Sequence, residues 1–160
     1  SITVNMGIPK FGWKEIPLSK EQDTQNVILD EFKAFCLSMG NPHAVIFFSS
    51  LEELENLDLN YIGPRLEKHS SFPEFANIEF VSVLEDRSLR MRVWERGVGV
   101  TTACGSGACA SLIAASVLNK STKENKIVLD GGDLLIKWLD DGSVTLSGDT
   151  EKVFEGFIGE

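Results

Sequence analysis

Residues 94–119 read WERGVGVTTACGSGACASLIAASVLN, a charged pair, a glycine-spaced loop, a cysteine and then a long uncharged run. No charge occurs from Ser106 to Leu118, where small and aliphatic residues fill every face. A helix that is apolar all round is buried on all sides. Its amino end leaves backbone N–H groups without intrahelical partners, here beside Cys104. Such an end attracts carboxylates and thiolates. The expectation is therefore a thiol with a pKa below the free value of about 8.5. Glycines at 99, 105 and 107 let the backbone approach a ligand closely. A small buried hydrophobe is the plainer role for a free cysteine, but the helix end and the glycines favour an active site.

Composition narrows the class. The chain has 160 residues, 42% hydrophobic and 24% charged, which suits one soluble domain spanning 1–160. A formal net charge of −9 argues against nucleic acid as a partner. Neither a signal peptide nor an eighteen-residue apolar span is present, so a membrane is not expected. Three cysteines and two histidines are poor material for a metal site or a disulfide framework. The odd, sparse cysteine count suits a reducing cytoplasm. Ser1 leads almost directly into the strand-like ITV, consistent with a piece of a longer protein.

In order, 2–4 read as a strand, 14–25 as a polar surface loop, and VILD then FKAFCLS as strand-like. The turn Met39-Gly40-Asn41-Pro42 separates them from Ala44–Phe48, giving a hairpin-like pair. Ser50-Leu51-Glu52-Glu53 fits a helix start, and a second short helix is read at Tyr61–Lys68. Strands follow at Asn77–Leu84 and Leu89–Glu95. In the latter, Leu89, Met91 and Val93 alternate against Arg90, Arg92 and Trp94, the mark of a half-buried strand. After the apolar helix come Lys126–Asp130, Leu134–Leu139, Val144–Leu146 and Val153–Ile158, spaced for antiparallel pairing. The fold class is α+β, a mostly antiparallel sheet curled around one central apolar helix.

ERGVGVTTACGSGACAS at 95–111 resembles the second catalytic-cysteine motif of the diaminopimelate epimerases. VNMGIP at 4–9, GNPH at 40–43, LEKHSSFPEFANIEFV at 66–81 and GGDLLIKW at 131–138 resemble the same family in the same order. The resemblance covers only the family's second half; the first half, with a cysteine in a Cys-Gly-Asn motif, lies outside these residues. It implies a mostly antiparallel, barrel-like sheet wrapped around the central helix, as one lobe of a two-lobed, pseudo-symmetric enzyme that interconverts LL- and meso-diaminopimelate for lysine and peptidoglycan synthesis in bacteria. Two opposed cysteines would do the acid/base work without pyridoxal phosphate or a metal.

By that resemblance Cys104 is one of the two, and Gly105 and Ser106 bind the α-carboxylate through their N–H groups. Asn41, Asn77 and Arg96 would hold the distal end of the substrate, and His43 and Glu95 would tune thiol protonation. The implied partners are diaminopimelate and the missing amino-terminal lobe, and a homodimer of the full-length protein is compatible with it. A lone lobe would be inactive, because both faces of the α-carbon must be addressed. Val100 departs from the pattern, standing where the family usually carries glutamate. Other readings are a related cofactor-independent isomerase of another substrate, a cysteine acyl-transfer enzyme using His43 or His69, and a small-acid binding module. His69 is read as a structural hydrogen-bonding residue, and Cys36 and Cys109 as core.

Overall fold

The computed structural model describes residues 1–149. Its elements in chain order are β1 (Ile2–Asn5), β2 (Val27–Leu29), β3 (Phe32–Ser38), β4 (Pro42–Phe47), α1 (Leu51–Glu55), α2 (Leu59–Glu67), β5 (Asn77–Val83), β6 (Leu89–Glu95), β7 (Gly99–Thr101), α3 (Gly105–Val117), β8 (Glu124–Leu129), β9 (Gly132–Trp138) and β10 (Val144–Gly148). The strands form one sheet in the order β1-β10-β9-β8-β6-β5-β4-β3-β2, with β7 added to β6. Lys10 and Ser38 exchange two backbone hydrogen bonds, 2.9 and 2.8 Å, joining the segment after β1 to β3. That bridge brings the two ends of the sheet together around α3. A barrel-like wrap removes exposed strand edges that would otherwise pair with other chains.

Most neighbouring strands run antiparallel, as expected for the short connections β8–β9–β10. Two contacts are parallel, β4 with β5 and β6 with β8. Parallel neighbours need a long crossover; α1 and α2 supply the first, and α3 the second.

The interior of the wrap is a core in which Ala108–Ala110 and Leu112–Ala115 of α3 pack against Leu37, Val45, Val81, Leu89, Met91 and Val93. The helix is buried because no face of it is polar enough to meet water. A second core lies on the outer side of β2–β5, where Ala44, Ile46, Ile78 and Phe80 meet Leu54, Leu59, Ile62 and Leu66 of the two short helices. The period-two pattern of β6 serves both sides. Leu89, Met91 and Val93 face α3, whereas the Arg92 guanidinium donates to the Leu54 and Leu57 carbonyls at 2.9 and 3.0 Å.

Several expectations need adjustment. The 14–25 segment is not simply a surface loop, because Ile16 and Leu18 are buried in the second core. VILD and FKAFCLS form two strands rather than one run, split at Asp30, whose φ of +56° makes the turn. The second helix starts at Leu59, capped by the Asp58 side chain, two residues before the expected Tyr61. Gly63 within it is required by Trp94: a Cβ there would lie 2.2 Å from the indole Cδ2. The strand read at Val153–Ile158 lies outside the described residues. Among those residues no helix is long and apolar enough to cross a membrane.

Candidate active site

Cys104 is the N-cap of α3, in extended backbone geometry (φ −144°, ψ 105°). Its Sγ accepts the N–H of Gly107 at 3.3 Å, and its carbonyl accepts that of Ala108 at 3.0 Å. The Gly105 and Ser106 N–H groups take no partner among the described residues, as the first turn of a helix dictates. They are the donors this end offers to an anion. Gly107 has no room for a side chain, since a Cβ would stand 2.8 Å from Glu79 Oε1 and 3.0 Å from Cys104 Sγ.

A chain of side chains reaches the thiol from β4 and β5. Glu79 Oε1 lies 2.7 Å from His43 Nδ1, and His43 Nε2 lies 2.9 Å from Asn41 Oδ1. The Asn41 amide nitrogen donates to Ser106 Oγ at 3.3 Å, and that hydroxyl sits 3.8 Å from Cys104 Sγ. His43 and Glu79 are fully buried. Their strands are parallel neighbours, and the register places His43 opposite Asn77, one turn of the pleat before Glu79.

A second group of contacts holds the arginine loop. The Asn77 amide donates to the Pro42 carbonyl at 2.9 Å and accepts the Arg96 N–H at 2.8 Å. Glu67 of α2 accepts from the Trp94 indole and from the Gly97 N–H, both at 2.9 Å. Gly97 and Gly99 have φ of +76° and +110°, conformations that a side chain would strain. The Arg96 guanidinium donates to the Glu74 carbonyl at 3.2 Å and borders a cleft of about 430 Å³ with Glu67, Trp94 and Gly97. Glu95 accepts the Thr101 hydroxyl at 2.7 Å. Val100, where the family pattern carries glutamate, is half exposed.

The electrostatics overturn one expectation. Cys104 does not have a lowered pKa; it is pushed up to about 12, first by burial and then by the nearby Glu79 carboxylate. The Gly107 N–H and Ser106 hydroxyl pull the other way, with Glu95 adding to the rise. Desolvation and two carboxylates outweigh one helix end. Cys109, buried behind Cys104, is likewise pushed up to about 12, and burial also raises Cys36.

The structure thus brings Cys104, Gly105, Ser106, Asn41 and His43 into one contiguous set, with Asn77 joined to it through Pro42 and Arg96 through Asn77, while Glu95 bonds Thr101. Both ring nitrogens of His43 are engaged away from sulfur, which leaves no thiol–imidazole pair of the kind an acyl-transfer cysteine needs. His69 makes a structural contact instead, accepting the Ser71 N–H at 3.2 Å. The sequence reading misses Glu79 and Glu67. Glu79 has a signal there, as a carboxylate in the middle of the otherwise uncharged strand NIEFVSV. Among the described residues no three His, Cys, Asp or Glu side chains cluster in a way that could hold a metal.

The fold is shared with proteins of racemase and epimerase descriptions. One solved structure, described as a predicted epimerase from Pseudomonas aeruginosa, matches with a TM-score of 0.58 and 17% identity over 90% of this chain and 53% of that one. Another, a probable proline racemase from Agrobacterium radiobacter K84, gives 0.57 and 12% over 94% and 54%. The family itself is set by sequence: the chain belongs to the diaminopimelate epimerase family, whose profile matches residues 35–153. A diaminopimelate epimerase of Rhodospirillum centenum is 45% identical over all of this chain and 55% of its own length. Those of Phocaeicola vulgatus and Acidiphilium cryptum are 50% and 45% identical over 80% and 97% of this chain, and over 45% and 56% of their own lengths. The chain spans about half the length of the curated relatives it matches.

Proposed function

We propose that residues 1–160 are the second lobe of a two-lobed epimerase that interconverts LL- and meso-diaminopimelate, with Cys104 as one of two acid/base cysteines. The observation that carries this reading is the placement of a buried thiol at the N-cap of α3, beside two unpartnered N–H groups. The α-carboxylate of a substrate would accept the Gly105 and Ser106 N–H groups. Its α-carbon would then lie between Cys104 and a cysteine of the other lobe.

In the reaction so read, a thiolate on one face takes the α-proton, breaking C–H and forming S–H. The carbanion charge spreads into the carboxylate, where oriented N–H donors stabilise it. The thiol on the opposite face then gives its proton to the carbon, and the two sulfurs exchange roles. The raised pKa of Cys104 suits it to hold the proton when substrate first enters. Neither pyridoxal phosphate nor a metal takes part in this scheme. Asn41, Asn77 and Arg96 hold the distal amino-acid end, through the second hydrogen-bonding valence each amide retains and the remaining guanidinium donors. His43 and Glu95 set the polarity around the thiol. The three free cysteines among the described residues favour a cytoplasmic setting. Lysine and peptidoglycan synthesis is the route such an enzyme serves.

The test is proton exchange in deuterium oxide. A protein containing this chain and the family's other half is expected to place deuterium at the α-carbon of diaminopimelate while interconverting its LL and meso forms. The 160-residue chain alone is expected to do neither. Normal turnover by the lone chain, or none by the two-lobed protein, would sink the reading.

A further inference from the structure

The least explained group in the molecule is the Glu79 carboxyl. It is fully buried, and its Oε2 has no hydrogen-bond partner among the described residues. Its Oε1 sits against the first turn of α3, in the space that a side chain at Gly107 would fill. A bare buried charge is costly unless it is paired, so the disposition of its protons matters.

The hydrogen-bond network fixes that disposition. In the structure the Asn41 amide nitrogen faces the Ser106 hydroxyl and the amide oxygen, an acceptor, faces His43. His43 Nε2 must therefore carry a hydrogen. On the other side, Nδ1 and Glu79 Oε1 are 2.7 Å apart. Two lone pairs do not approach that closely without a proton between them. That proton belongs to an imidazolium facing a carboxylate, or to a carboxylic acid facing a neutral imidazole. Either way the pair carries no net charge. The amino end of α3 favours the form with the negative charge on Glu79.

We propose that Glu79 is a positioning residue of the cysteine site: it shares one proton with His43 Nδ1, fixes the imidazole with Nε2–H directed at Asn41, and so sets the Asn41–Ser106 arm that reaches Cys104. The inference deepens the epimerase reading and takes its functional meaning from it. The same proton offsets part of the Glu79 charge felt at the thiol, where Glu79 and Glu95 both act to raise the pKa. Gly107 acquires a reason beyond helix packing, since it leaves the space this carboxyl occupies. The titratable groups around Cys104 are Glu79 on β5, His43 on β4, Glu95 at the end of β6 in contact with Thr101, and Cys109 on α3.

Two measurements on the 160-residue chain test it, and neither needs substrate. The first follows the His43 ring by nitrogen-15 NMR, with His69→Gln used to assign the two histidines. An exchange-protected proton on Nε2 is expected near neutral pH. Glu79→Gln, whose amide can donate to Nδ1, is expected to keep it, and Glu79→Leu to lose it. The second measures iodoacetamide alkylation of Cys104 by peptide mapping between about pH 7 and pH 9, a range in which the rate tracks the thiolate fraction. Because the pair is neutral before and after the change, Glu79→Gln is expected to alter the rate less than about threefold. His43→Gln strands the carboxylate and is expected to slow alkylation about tenfold, one pKa unit at the thiol. A tenfold acceleration in Glu79→Gln would mean that Glu79 carried a lone negative charge, and the shared proton would be wrong. An Nε2 proton unchanged in Glu79→Leu would mean that the ring is held without Glu79. Either failure leaves the epimerase reading standing, and a failure of α-proton exchange leaves these results standing.

Discussion

Asn77 Oδ1 accepts the backbone N–H of Arg96 at 2.8 Å, tying the arginine loop to the first residue of β5. The same amide donates to Pro42, so one side chain links the loop after β6 to the first residue of β4. The bridge adds to the β4–β5 and β5–β6 pairing in holding the arginine relative to the Asn41 arm.

Asn77→Ala removes both bonds and leaves one buried and one half-buried backbone group without that partner. A loss of about 1–3 kcal/mol is expected, measured by urea unfolding. Asn77→Asp is expected to be no better, because it sets a carboxylate against the Pro42 carbonyl. A loss under about 0.5 kcal/mol for the alanine variant would show that the bridge does not hold the loop.

Gly63→Ala sets two effects against each other. Alanine gains about 1 kcal/mol in helix propensity over glycine, but its methyl would meet the Trp94 ring at 2.2–2.6 Å. Forcing a methyl into a packed ring costs about 1–3 kcal/mol or more. Net destabilisation is expected in thermal unfolding, together with a shift in tryptophan emission. Stabilisation would mean that the ring moves aside freely.

Cys104 is the thiol expected to react first, because it is 8% exposed whereas Cys36 and Cys109 are fully buried. Its pKa is pushed up to about 12, so the thiolate fraction rises throughout the accessible pH range. Alkylation of the folded chain is therefore expected to accelerate with pH up to about pH 10 without levelling off. A plateau near pH 8 would show that the helix end prevails over burial and the carboxylates.

All three thiols have raised pKa values in the folded chain. Below the free value of about 8.5 both folded and unfolded thiols stay protonated, and their contribution to stability is complete. Above it the unfolded chain ionises first, so stability falls as pH rises. The urea midpoint is expected to hold between about pH 7 and pH 8 and then decline. Cys36→Val should soften the decline; an unchanged slope would remove Cys36 as a source.

In the two-lobed protein, Cys104→Ser and Arg96→Ala should fail differently. Serine keeps the hydrogen bonding of the cap but is a far weaker acid, so α-proton exchange should collapse while ligand affinity changes little. Arg96→Ala should chiefly weaken binding, by about 1.5–3 kcal/mol for a charge-assisted contact. Isotherms and deuterium uptake for both variants separate the roles. Exchange retained per bound substrate in Cys104→Ser would make Cys104 a structural residue.

The buried helix was legible from residues 106–118 because an uncharged stretch with no polar face has only one place to go. The alternation in Leu89–Glu95 revealed a strand with two unlike faces, although not that α1 and α2 cover the second. Ile16 and Leu18 were hidden in a polar segment, since two apolar residues set no period. The Cys104 site was legible as a position and misread in its electrostatics. A helix end is local and visible in sequence, whereas Glu79 approaches from a strand 25 positions earlier, and only the folded sheet brings its charge to the sulfur.

Strands β4 and β5 send alternate residues into the α3 core and into the core under α1 and α2, so each strand is a wall loaded from both sides. His43 and Glu79 are mounted on that wall. Opening either core would release residues that the other needs, which ties local breathing to loss of the whole fold. The thiol's surroundings therefore rest on strands that both cores share.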